Sequence, residues 1–382
     1  MNTSEKEKTY TQTPKLNNKN QLSTGNLFLD KLISGVSLGT IILLIEDDPS
    51  SIYESLLKYF IAEGIIKKQK IFYYYNNENS NQNIIEALPY KSTQVESIIN
   101  AKRVNETKSN EMRIAWRYEN IKYSTMLEDI VKSSEYVFDL SRQLQETYLI
   151  DKNKSLIKKN FIGEKVIMND DNNNVNDNEK NQNKNENDYQ QNPIDYLREL
   201  TQGIIKDYQS FTEDIEEDEI RICRFVAPNL FLNDSNANKD FHTEEFITKF
   251  KVQLNCLKNV IRSTNGILFV TLNKDFVSNE IYKLLFYFSD YVFTLKSFTM
   301  DPQKMEDYDG LFYINKLPRV CNMKTIELET DTYGVIVEKR KLVIEKIDIG
   351  LEIDRNTKVK EKDLPASQAM CGQEKYKKDF EF

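Results

Sequence analysis

Gly39-Thr40-Ile41-Ile42-Leu43-Leu44-Ile45-Glu46-Asp47-Asp48-Pro49-Ser50-Ser51 is the stretch on which the fold turns. Ile41–Ile45 is continuously apolar and closes on charged residues, the pattern of a strand buried on both faces of a parallel sheet. A helix is expected next. Asp48 can cap it, Pro49 suits its first turn, and Ile52, Leu56, Tyr59 and Phe60 recur at helical spacing. Gly64 is its expected stop, and Lys70–Tyr75 the following strand.

The same strand-to-helix loop bears on function. A phosphate-binding loop reads GxxxxGK[ST], with backbone amides cradling phosphate and a lysine neutralising it. Here Glu46, Asp47, Asp48, Pro49, Ser50 and Ser51 fill that place, and no Gly-Lys dipeptide occurs in the chain. Carboxylates at a helix N-terminus cap it themselves and repel a triphosphate, each close like-charge pair costing roughly 1–4 kcal/mol. A divalent cation would offset that repulsion. Nucleotide binding therefore rests on Glu46, Asp47, Asp48, Ser50 and Ser51, with ATP and magnesium as the ligand, or does not occur.

Outward from this unit the grammar repeats. Ile220–Val226 reads as a strand ended by Pro228. Glu244–Ser263 reads as a helix striped by Phe246, Phe250, Leu254, Leu257 and Ile261. Ile267–Leu272 is a strand, Asn279–Phe288 a helix and Tyr291–Leu295 a strand. Leu311–Asn315, Gly334–Val337 and Lys341–Ile347 are hairpin-prone. Alternating strands and helices imply right-handed crossovers, hence an α/β fold with a mainly parallel central sheet flanked by helices, extended by antiparallel strands at one edge.

Between these elements lie polar tracts. Residues 1–22 form a lead-in expected to be disordered, Asn76–Asn83 is a polar break, and an Asn-rich insertion spans about 169–192. The domain is placed at 23–350, with a polar tail at 351–382. Met1–Asn20 has no apolar core, so no secretory leader is expected, and no stretch is long enough for a membrane helix. The 52 basic and 60 acidic residues leave a net charge of −8, which argues against gripping nucleic acid with the whole surface. Cys223, Cys256, Cys321 and Cys371 are far apart in sequence and read as free thiols of a reducing compartment, cytoplasmic or nuclear.

Other motifs resolve to turns and caps. Gly35-Val36-Ser37-Leu38-Gly39 matches GxSxG but precedes a strand, where a nucleophile elbow must follow one. His242, the single histidine, stands beside Thr243 and Glu244, a helix start. Neither a catalytic residue nor a metal site is assigned. The single tryptophan lies in Met112-Arg113-Ile114-Ala115-Trp116-Arg117-Tyr118. Two readings stay open there. Trp116 anchors packing with the arginines outward, or Arg113, Trp116 and Arg117 meet a partner or stack on RNA. Lys67-Lys68-Gln69-Lys70 and Lys339-Arg340-Lys341 read as solvated basic faces.

Taken in order, several segments resemble one family. They are Ser23-Thr24-Gly25, Leu29-Asp30, Gly39–Asp48, the helix Tyr53–Gly64, Met112–Tyr118, and Phe138-Asp139-Leu140-Ser141. Ser289-Asp290, Leu295–Phe298, Asp307–Gly310, Lys316–Arg319, Arg340-Lys341 and Ile344-Glu345-Lys346 follow. The series is similar to that of the Elongator subunit 4 family. The resemblance implies a RecA-like fold and a hexameric ring with two related subunits. It also implies docking on the catalytic Elongator subunits, and handling of transfer RNA while its wobble uridine is modified. The missing phosphate-loop lysine agrees with a non-catalytic role, and a divergent ATPase at the ring interfaces is the rival.

Overall fold

The computed structural model describes residues 21–46, 52–75, 84–99, 130, 134–145, 148, 155–160, 193–213, 222–231, 243–298, 308–318, 328 and 330–347. In chain order the elements are β1 (Gln21–Leu22), α1 (Leu27–Ile33), β2 (Val36–Ser37), β3 (Thr40–Glu46), α2 (Ile52–Ile66), β4 (Lys70–Tyr75), β5 (Pro89–Ser92) and α3 (Val95–Ile99). Next come β6 (Val137–Gln143), β7 (Leu156–Asn160), α4 (Pro193–Glu213), β8 (Cys223–Ala227), α5 (Glu244–Ser263) and β9 (Gly266–Asn273). The chain closes with α6 (Asn279–Phe288), β10 (Tyr291–Ser297), β11 (Gly310–Lys316), β12 (Thr332–Val337) and β13 (Leu342–Lys346).

A nine-stranded sheet forms the frame, in the order β13-β12-β11-β10-β3-β9-β8-β4-β7. From β10 through β7 every neighbour is parallel, and β11, β12 and β13 continue it antiparallel. The expected architecture is thus present: a mostly parallel sheet, helices on its faces, and antiparallel strands at one edge.

The apolar run of β3 explains its central place. Ile42 and Leu44 join one core with α1 and α2, while Ile41, Leu43 and Ile45 join a second core with α4, α5 and α6. A strand covered on both faces needs apolar residues at every position, which is what the sequence supplies. Each such side chain contributes roughly 1.5–3 kcal/mol on burial. β4 divides likewise, Ile71 and Tyr73 to the first core, Phe72 and Tyr74 to the second.

Two readings of the sequence are corrected. Gly64 does not stop α2, which runs on to Ile66 and ends at Lys68 in the left-handed region, φ 56. Gly64 is instead a point of close approach, where a Cβ would come 2.8 Å from Cδ of Arg224 and 2.9 Å from Ile71. Lys339-Arg340-Lys341 is not a solvated face. Lys341 is buried, its ammonium donates to the Ile99 carbonyl, and Arg340 pairs with buried Asp139. β5, β6, β7, α1 and α4 had no counterpart in the sequence reading.

The antiparallel edge depends on one missing side chain. Gly334 of β12 lies under the Tyr308 ring, and an added Cβ would sit 2.2 Å from it. Gly334→Ala is expected to lower stability by about 1–3 kcal/mol through overpacking, read as the urea midpoint. Adding Tyr308→Leu should restore most of the loss, because it removes the clashing ring. An unchanged midpoint in the single variant would mean the ring swings aside freely.

Candidate functional site

In open α/β sheets ligands sit outside the carboxyl ends of the strands, where the strand order reverses direction. Here that place lies around β3, since α2 leads away to β4 on one side while α6 returns to β10 on the other. Glu46 ends β3, level with Asn273 of β9 and Leu295 of β10, and is 4% exposed. By alternation it shares the α2 face with Ile42 and Leu44.

A small polar cluster stands beside it. The Asn229 backbone N–H donates to Thr271 Oγ1 at 2.7 Å, and Asn229 Nδ2 donates to the Tyr53 hydroxyl at 3.2 Å. Asn229 and Phe231 hold this loop with φ of 51 and 67, in the left-handed region. Burial raises the Tyr53 pKa, the Asn229 bond opposes that, and Glu54 and Glu46 raise it further, so the phenol stays neutral. A carboxyl group ends the central strand, and the neighbouring hydroxyl and amide groups are used on one another. Of the nucleotide-site residues read from sequence, the described structure includes Glu46; Asp47, Asp48, Ser50 and Ser51 lie outside the described residues. So do Arg113, Trp116 and Arg117, together with His242, Cys321 and Cys371. Cys223 and Cys256 are free thiols.

The segments that carried the resemblance have structural work that sequence reading did not assign. Asp30 accepts from Ser23 Oγ at 2.6 Å, Thr24 N at 2.8 Å and Thr24 Oγ1 at 2.7 Å. Gly25 follows at φ 88, its Cα so close to α2 that a Cβ would meet the Tyr59 carbonyl at 2.4 Å. Behind them Arg224 of β8, 1% exposed, donates to Gln69 Oε1 at 2.5 Å, Phe60 O at 3.1 Å and Ser23 O at 3.0 Å. Its guanidinium lies 4.3 Å from the Phe60 ring centre. Desolvation lowers its pKa to about 10, against the raising influence of Glu63 and Asp30, and it stays charged at neutral pH. The signal was legible in principle, since an arginine interrupts the apolar strand Cys223–Ala227.

Other motif residues fasten the remaining elements. Asp290 accepts the Ile41 backbone N–H at 3.0 Å and pairs with Lys258 at 3.0 Å, locking α5 to the start of β3. Lys316 of β11 donates to the carbonyls of Tyr287 and Ser289 at 2.7 and 2.6 Å, satisfying the C-terminal end of α6. Among the described residues no helix is long and apolar enough to cross a membrane, and no group of three His, Cys, Asp or Glu side chains could hold a metal ion.

With that geometry in hand, comparison with known proteins is decisive for the family. The model of the PAXNEB protein family matches residues 6–382. The chain belongs to the PAXNEB family. This PAXNEB chain is also 26% identical to Elongator complex protein 4 of Dictyostelium discoideum over 89% of its own length and 77% of that protein's. To the protein of the same name from Mus musculus it is 27% identical over 92% of its length and 82% of the other's. The Homo sapiens protein is 25% identical over the same shares. Among solved structures it is similar to a KaiC-like protein of Pyrococcus horikoshii, with a TM-score of 0.38 and 11% identity, over 85% of this chain and 98% of that one. That distant likeness adds nothing to the topology already described. In this PAXNEB chain Asp30, Asp290 and Lys316, all in segments that carried the resemblance, help to dock α1, α5 and α6 onto the sheet.

Proposed function

We propose that this chain is the subunit 4 component of an Elongator complex, a non-catalytic member of a hexameric ring built with two related RecA-like subunits. The ring docks on the catalytic subunits and supports modification of the transfer-RNA wobble uridine, in the cytoplasm with a nuclear share. The observation that carries this reading is the family match over residues 6–382 with Elongator complex protein 4 similarity along 89–92% of the chain. The ring and the transfer-RNA role follow from the family resemblance. A non-catalytic role is supported by the strand-end site, where Glu46 stands and Asn229, Thr271 and Tyr53 engage one another.

The test is affinity purification of the tagged chain from its own cells, followed by mass spectrometry. Co-purification of the catalytic Elongator subunits and two RecA-like sister chains is expected. Recovery of a stable partner set lacking both would overturn the proposal.

A further inference from the structure

We draw no further inference here: the strongest candidate, the aromatic outer face of α6 around Tyr287, which is 73% exposed and has the Lys316 ammonium 5.8 Å from its ring centre, carries none because nothing in the structure shows what covers it.

Discussion

Replacing Arg224 by leucine is expected to destabilise the protein by about 3–5 kcal/mol at neutral pH, the range for leaving a buried charge without its partner. Leucine fits the apolar side of β8 but replaces none of three hydrogen bonds. The Ser23 and Phe60 carbonyls and Gln69 Oε1 all lose their donor. Gln69 is itself 4% exposed and its Nε2 has no partner, so it cannot turn to water for compensation. Asp30 and Glu63 lose the buried guanidinium whose charge acts on both. Arg224→Lys should recover little, because an ammonium cannot span the divergent acceptors that the planar guanidinium reaches.

The pH dependence separates this from a loss of packing. With Arg224 gone, ionised Asp30 and Glu63 repel without relief, so the deficit should be larger at pH 8 than at pH 5, where a proton eases it. Urea midpoints at the two values give the answer. A deficit of the same size at both would mean that the guanidinium acts here through its shape and its contact with Phe60. A loss below about 1 kcal/mol would show the cluster to be well hydrated.

How far the sequence carried the fold depends on what each segment contacts. β3, β4, β9 and β10 were legible because both their faces are covered, so the apolar run and the strand coincide. α5 and α6 were legible to the residue, with Thr243 accepting from the Phe246 N–H as its cap. β7 was not, since Leu156-Ile157-Lys158-Lys159-Asn160 is an edge strand with little apolar signal, defined by its pairing with β4. β6 was missed for a related reason: its partner β5 lies far away in sequence. Of the nucleotide site, only the absence of a phosphate loop could be read. The Asn229–Thr271–Tyr53 cluster joins residues from three elements, and no local spacing announces it. Charged residues deceived most. A short basic run looks the same in sequence whether it faces water or, like Arg340 and Lys341, closes over a buried carboxyl group and a carbonyl.

Arg340 yields the second large effect. Asp139 of β6 is 1% exposed, and its Oδ2 receives Arg340 Nε at 3.0 Å and Nη2 at 2.8 Å. Its Oδ1 accepts from Ser141 N at 3.0 Å and Ser141 Oγ at 2.6 Å, and the Leu140 N–H donates to the Arg340 carbonyl at 2.9 Å. Through this pair the small β5–β6 sheet is tied to the hairpin between β12 and β13. Burial raises the Asp139 pKa, but the bonds from Arg340 and Ser141 outweigh it and hold the carboxyl group below its ordinary value. Arg340→Ala removes the charge partner and leaves the buried carboxylate with Ser141 alone, a loss of about 3 kcal/mol at pH 7. A depressed carboxyl pKa gives stability that is present above the unfolded value, near about 3.9, and lost as pH falls through the folded one. The difference between wild type and Arg340→Ala should therefore be largest at neutral pH and shrink in acid. If Arg340→Ala instead costs as much in acid as at neutral pH, the arginine holds the hairpin through its Leu140 backbone contact and side-chain packing, and the ion pair adds little.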